Sequence, residues 1–444
     1  MADNRENILS GVPKISRDTF SEPQRAHHRL LLIVLVAFVL RLAVMVVGHT
    51  YRITPRGDHF QFGWEMGRIA RSIAMGRGFS SPTDLPTGPS AWEPPVYPYI
   101  LAAVFKLFGI YSAASAFIIL TFNSIFAALT CFTIYGIAEH IYGANVARAA
   151  AWTWAIFPYV IYWPTRVVWE TSFTTFLLSA ALLMTLRMGE KPPRLRIWIV
   201  FGALWGLIML TNTAVVSMLP FCLLWILYRM RSQPRQRYSA AFCVAVAIAV
   251  FSPWIVRNYI VFDKFIFVRD NMPLELHMAN NDESGGLWTR NEHPANDVAA
   301  MHEFQRLGEL GFMDQKHQQF QQFLREHPGQ FVRFTLERIF YFWAAPPSLT
   351  ITSNGYDLEI ARHTGFLLGA VFAFAGLWLT IRDRRTGVFL LACFLLIYPL
   401  PYYLVQPFPR YKAPIEPEMI LLIVYLFWKA KRIQLHSPFN KAPA

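Results

Sequence analysis

The chain has 444 residues, of which 54% are hydrophobic, 16% aromatic and only 16% charged, with a net charge of +13. Soluble chains carry roughly 25% charged residues, and here the apolar residues come in long runs, which excludes an ordinary soluble protein. The basic excess does not indicate nucleic acid, because Lys and Arg cluster between apolar runs, as in 229–237 and 382–385. That is the pattern of loops facing anionic headgroups.

Residues 1–29 are polar and basic and precede an apolar run from Leu30 to Gly48. They are read as a cytoplasmic tail and a retained signal anchor, since no small-x-small cleavage pattern follows Gly48. A hydrocarbon core of about 30 Å takes about 20 apolar residues as a helix. Applied along the chain, this predicts spans at 30–48, 112–138, 146–163, 168–186, 197–211, 213–228, 240–257, 364–381, 387–405 and 414–430. Thr211, Asn212 and Thr213 supply the polar turn that divides the overlong 197–228 run. The expected fold is therefore an all-α polytopic membrane protein of about ten transmembrane helices. A cytoplasmic N-terminus puts Arg187, Lys191, Arg194, Arg196, both basic clusters, Lys429, Lys431 and Arg432 inside. The transmembrane core then covers 30–257 and the C-terminal helices 364–430, with 431–444 a cytoplasmic tail.

This topology leaves two outward segments. The first, 49–111, carries Phe62, Met66, Ile69 and Ile73 at helical spacing, closed by Gly76 and Gly78. The second, 258–363, is polar and too long for a connector, with an amphipathic helix expected at 298–326. Residues 96–109 are too short to cross, and 331–343 contain Arg333, Glu337 and Arg338. Both are expected to lie in the outer interface. Cys131, Cys222, Cys243 and Cys393 sit inside apolar runs without CxxC spacing, as packing residues.

The chemistry-bearing candidates fall at outer span ends. Asp58 follows the first span and could act as a general base for a hydroxyl or cap the next helix. Glu93 precedes Pro94 and Pro95, which hold it extended beside Trp92 and Tyr97; otherwise it is a solvated loop acid. Glu170 begins the fourth span and either faces a cavity or pairs with Arg166 four residues earlier. Arg257 and Arg410, the latter with Lys412, suit phosphate contacts or snorkel to headgroups. Arg41, inside the first span, is expected to pair internally. No GxxxxGK[ST], HExxH, Asp-x-Asp or Gly-x-Ser-x-Gly pattern is present.

The order of Gly57-Asp58, Gly76-x-Gly78-Phe79-Ser80, 93–98 (EPPVYP), 253–262 (PWIVRNYIVF), 277–281 (HMANN) and 410–417 (RYKAPIEP) resembles the GT-C class of integral-membrane glycosyltransferases. It is most similar to lipopolysaccharide-modifying transferases of the RgtA/B/C/D type, aminoarabinose transferases and protein O-mannosyltransferases. The resemblance implies inverting transfer of a sugar from a polyprenyl-phosphate donor to a glycolipid, glycan or protein acceptor at the outer face of the inner membrane. Asp58 would be the catalytic base; Arg257 and Arg410 would hold the lipid-linked phosphate. Glu93 and Glu170 would line the site and, in some members, bind a divalent metal; no other cofactor is implied. Tyr97 and Tyr411 belong to the same motifs and are expected at the substrate. His59 stands where protein O-mannosyltransferases carry a second acid, and Thr211-Asn212-Thr213 where many relatives have Thr-Arg-Pro, which removes a cation. A flippase for lipid-linked sugar would need repeats and polar mid-membrane sites, which the sequence lacks; a non-catalytic scaffold acting through 258–363 is the third reading.

Overall fold

A computed structural model describes residues 22–53, 60–347 and 355–435. Those residues are helical throughout, apart from turns and a single isolated bridge between Ser80 and Pro89. In chain order the helices are α1 (Glu22–Val47), α2 (Glu65–Ala74), α3 (Val96–Phe108), α4 (Ala113–Tyr142), α5 (Ala144–Ile156), α6 (Pro158–Arg166), α7 (Thr171–Met188), α8 (Leu195–Met209) and α9 (Leu219–Arg229). There follow α10 (Arg235–Phe262), α11 (Met272–Ala279), α12 (Val298–Glu326), α13 (Pro328–Ala344), α14 (Gly355–Arg382), α15 (Val388–Leu396), α16 (Leu400–Leu404) and α17 (Glu416–Leu435).

Every apolar run read as a span corresponds to a helix or a broken helix. Among the described residues, five stretches are individually long and apolar enough to cross a bilayer: His27–Val47, Ala113–Tyr142, Thr171–Met188, Arg235–Phe262 and Glu359–Arg382. Apart from α17, with 20 residues, the others are shorter, and the breaks have local causes. The 146–163 run divides into α5 and α6 at Pro158, and 387–405 into α15 and α16 around Pro399 and Pro401, because proline lacks the N–H that continues a helix. The 197–228 run divides at Thr211–Thr213, after which Ala214–Met218 forms a 3-10 turn leading into α9. Outside the apolar runs, α2, α3, α12 and α13 fall on the segments whose patterning predicts helices.

The core is built by close helix contact. A Cβ on Gly202 would meet the Cys243 carbonyl oxygen at 2.4 Å, and one on Gly206 would meet Val250 at 2.5 Å. These two glycines let α8 lie directly on α10, the small-residue packing that membrane helices use in place of hydrophobic drive. Gly376 does the same for α14 against the Leu422 carbonyl on α17. All four cysteines are unpaired and buried within this packing.

Arg41 explains how a cation is tolerated in α1. The α5 helix ends at Ile156, and Pro158 has no N–H to offer the Trp154 carbonyl, so carbonyls of the last turn need partners from elsewhere. The fully buried Arg41 guanidinium donates to the carbonyls of Trp154 at 3.2 Å and Ala155 at 3.0 Å, and to Ala37 on its own helix at 2.9 Å. Replacement Arg41→Leu should orphan these acceptors at a cost of about 1–3 kcal/mol. The expected readout is a lower thermal unfolding midpoint in detergent. Arg41→Lys should recover only part of the loss, because one ammonium lacks the planar fork that spans two carbonyls.

Candidate functional site

At one end of the helical core, α2, the 89–95 loop, the Asn212 turn, α11 and the 401–411 segment enclose a cavity of ≈ 400 Å³. Each element arrives there for a backbone reason. The Val168 amide donates to the Gln61 carbonyl at 2.9 Å, joining the approach to α2 to the start of α7. The Val96 amide donates to the Leu210 carbonyl at 3.0 Å, seating the loop that carries Glu93 on the end of α8. The cavity lining is mixed, as in sites that orient polar ligands against an apolar wall: Trp64, Trp169, Trp288, Tyr402, Phe408 and Tyr411 supply aromatic faces.

Its charges are buried or half-buried, and opposed. Glu65, Glu93, Glu170 and Glu275 face Arg269 and Arg410. Arg269 Nη1 lies 3.9 Å from Glu93 Oε2, and its Nε donates to Asn271 at 2.6 Å. Burial works against the Arg269 charge, and the Glu93 and Glu275 carboxylates outweigh it. Glu275 also accepts from Gln406 at 3.2 Å. Glu170 accepts from the Asn212 amide at 3.2 Å. The Arg410 guanidinium rests 3.8 Å above the Trp169 ring, which fixes its plane while leaving its Nε without a hydrogen-bond partner. Glu93 Oε2 and Glu170 Oε2 are likewise buried without hydrogen bonds. The cavity thus holds both donor and acceptor capacity that the protein leaves unused, which a polar ligand would satisfy.

Burial pushes the Glu93 carboxyl up to about 8; Arg269 opposes the shift, and the charges of Glu65 and Glu170 add to it. Glu65 behaves in the opposite way. Burial raises it, but the His293 hydrogen bond, the His293 charge and Arg68 bring it below the usual carboxylate range. His293 is held for that task at 3.1 Å from Glu65 and stacked 4.4 Å from the Trp64 ring. Two acids in one cavity are therefore driven apart in proton affinity.

Asp58 lies outside the described residues. Glu93, Glu170, Arg410 and Tyr411 come together in the cavity. Arg166 does not pair with Glu170: α6 ends at Arg166 and Val167 is extended, so the four-residue spacing is not carried by one helix. Tyr97 is fully buried beneath the cavity, donating to Asn123 at 3.0 Å. Arg257 is also outside the lining; its guanidinium donates to the carbonyls of Ser90 at 2.7 Å and Phe79 at 2.9 Å and stacks on Trp254. It secures the two ends of the loop before Glu93. Sequence reasoning missed Glu65, Arg269, Glu275 and His293. For Arg269 and Glu275 the available signal was charge interrupting the apolar residues of 259–278; Glu65 and His293 lie outside that stretch, and the convergence of all four is purely tertiary.

Among the described residues no three His, Cys, Asp or Glu side chains form a group able to hold a metal ion. Glu93 and Glu170 supply oxygen donors of the kind that hard divalent cations take, but two carboxylates do not complete such a shell.

Residues 92–256 match a family model described as dolichyl-phosphate-mannose-protein mannosyltransferase. No curated protein sequence matches the chain. Among solved structures, the chain is similar to the archaeal oligosaccharyltransferase AglB of Archaeoglobus fulgidus in complex with an inhibitory peptide and a dolichol-phosphate. The TM-score is 0.52 at 15% identity, over 95% of this chain and 52% of AglB. The apo form of the Archaeoglobus fulgidus oligosaccharyltransferase gives 0.54 at 16% identity, over 91% of this chain and 52% of the other. ArnT of Cupriavidus metallidurans bound to undecaprenyl phosphate gives 0.40 at 14% identity, over 95% of this chain and 82% of ArnT. The chain spans about half the length of the oligosaccharyltransferases it matches. The likeness to the Archaeoglobus fulgidus oligosaccharyltransferases is one of fold.

The Glu93 shift has a measurable consequence. Its folded-state value of about 8 exceeds the ordinary 4.5, so the folded protein binds this proton more tightly than the unfolded chain. The associated stability is complete below the ordinary value and is lost as pH rises through about 8. Thermal unfolding between pH 5 and pH 9 should show a midpoint that falls over this window. Glu93→Gln should flatten the fall; an unchanged slope would contradict the buried, protonated assignment.

Proposed function

We propose that the protein is an inverting glycosyltransferase that moves a sugar from a polyprenyl-phosphate donor to an acceptor at the outer face of the cytoplasmic membrane. The observation that carries this reading is the cavity itself: half-buried guanidiniums of Arg269 and Arg410 facing carboxylates of which Glu65, Glu93 and Glu170 are buried, walled by aromatic rings, at the end of an apolar helical core. A lipid-linked phosphate needs cations at headgroup depth, and a sugar ring needs polar groups beside flat apolar faces.

In this reading Arg410 and Arg269 bind the donor phosphate. The acceptor hydroxyl oxygen attacks the anomeric carbon as the bond from that carbon to the phosphate oxygen breaks. The bonding pair leaves on the phosphate, where the guanidiniums stabilise it, and Asp58 takes the hydroxyl proton. Attack opposite the leaving group inverts the anomeric centre. Glu93 and Glu170 face the donor sugar, and Tyr411 closes the wall behind Arg410. Asn212, whose amide is directed to Glu170, stands where the resemblance places a cation in many relatives, so in this reading phosphate binding falls to Arg410 and Arg269. The acceptor is a glycolipid, a glycan or a protein, and the active site faces the periplasm or exterior.

Purified protein supplied with polyprenyl-phosphate sugars and acceptor lipid should yield a glycosylated product detectable by mass spectrometry. Asp58→Asn should lower the rate by about 10²–10⁴-fold, and Arg269→Gln and Arg410→Gln by about 10²-fold or more, with unfolding midpoints near that of the native protein. Full activity in Asp58→Asn would remove it as the base. Movement of the lipid-linked sugar across vesicle membranes without product would favour a flippase. Parallel assays with a chelator establish whether a divalent cation joins Glu93 and Glu170.

A further inference from the structure

One buried acidic pair touches the frame of the cavity without lining it. The α12 run is broken at Gly308, which has φ 69°, a left-handed conformation natural to glycine. The break is followed at once by Glu309, which is only 5% exposed. A Glu309 oxygen accepts the Ala91 amide, 218 residues away in the chain. From the other side, the Asp270 amide donates to the Ala91 carbonyl at 3.1 Å. Both backbone groups of Ala91 are therefore held from the 258–363 region.

The position of this clamp matters. Ala91 is two residues before Glu93, and Asp270 directly follows Arg269, the cation that faces Glu93 at 3.9 Å. Both Asp270 oxygens and the second Glu309 oxygen are buried without a hydrogen-bond partner. The Asp270 charge acts on the Glu309 carboxyl, and two neighbouring buried acids favour a proton on one of them. Burial pushes Glu309 well above the usual carboxylate range, and the Asp270 charge adds to the shift. Glutamine is accordingly a close stand-in for Glu309.

We propose that Glu309 is a positioning residue of the cavity, acting through the Ala91 amide and together with Asp270 to hold Glu93 opposite Arg269. Its position on α12 makes the outer helical region a structural part of the site. A misplacement of about 1 Å at a reacting centre lowers a rate by about 10²-fold, so even slight relaxation of the 89–95 loop is felt in turnover. The kinetic consequence rests on the transferase reading above; the structural consequence does not.

The test uses the full-length protein in detergent and has two arms. In the first, amide exchange is followed by mass spectrometry in peptides covering 89–95, with peptides from α4 and α7 as internal controls of folding. Glu309→Ala should speed exchange at Ala91 at least tenfold, while Glu309→Gln, which keeps the acceptor oxygen, should leave it protected. Glu309→Asp, a milder change that draws the acceptor back by one methylene, should give an intermediate rate if Glu309→Ala does not fold. In the second arm, transfer from a polyprenyl-phosphate sugar should show kcat lowered at least tenfold in Glu309→Ala, KM little changed, and recovery in Glu309→Gln. Native protection at Ala91 in Glu309→Ala, or loss of transfer without loosening of 89–95, would overturn the proposal. If the native protein transfers no sugar, the transferase reading fails, and the exchange arm alone decides whether Glu309 holds the loop.

Discussion

Burial of opposite charges in one cavity is the constraint around which the cavity-bearing end of the molecule is organised. Glu65, Glu93, Glu170 and Glu275 could not share ≈ 400 Å³ with one another alone; each would be neutralised by taking up a proton. Arg269 and Arg410 change that balance, and His293 does so specifically for Glu65. The result is uneven by design of the surroundings: Glu65 is held ionised, while Glu93 retains its proton. An isolated buried ion pair is weak support for stability. The incomplete pairing seen here, with oxygens of Glu93 and Glu170 and a nitrogen of Arg410 unused, is the condition expected of a surface prepared for a ligand.

Such an arrangement requires a rigid frame, because the 3.9 Å approach of Arg269 to Glu93 loses its meaning if either loop drifts. The frame is made largely of backbone hydrogen bonds between segments distant in sequence. Gln61 with Val168, Val96 with Leu210, and Ala91 with Glu309 and Asp270 are its principal ties. Arg257 belongs to the same frame, since its guanidinium bridges the Phe79 and Ser90 carbonyls. A cation at a span end thus serves the loop rather than a headgroup. Arg41 plays the equivalent part within the helical core, where it satisfies carbonyls released by Pro158.

The two proline-broken segments and the glycine contacts connect this frame to the apolar core. Breaks at Pro158 and around Pro399 and Pro401 shorten α5, α6, α15 and α16, and the 401–411 segment that follows delivers Tyr402, Phe408, Arg410 and Tyr411 to the cavity. Gly202 and Gly206 bring α8 onto α10, so that the end of α8 can receive the Val96 amide and the next turn can aim Asn212 at Glu170. Packing inside the core therefore sets the distances at its end.

Much of the architecture was legible in the sequence because its cause is local. Apolar run length follows from bilayer thickness, proline and glycine interrupt helices wherever they stand, and amphipathic spacing marks 298–326 within a single segment. Glu93, Glu170, Arg410 and Tyr411 could be nominated because each lies in a short motif beside a span end. Their distances could not, nor could the presence of Glu65, Arg269, Glu275 and His293, because no local pattern ties residues separated by up to about 350 positions. The same distinction separates Arg257 from Arg410. Both are cations at span ends in sequence, yet folding leads one to the carbonyls of a loop and the other to an aromatic shelf inside the cavity. Sequence alone determined a helical membrane protein with its reactive groups at span ends; tertiary structure decided which of them meet, because proximity across the chain is set by helix packing and long-range backbone ties.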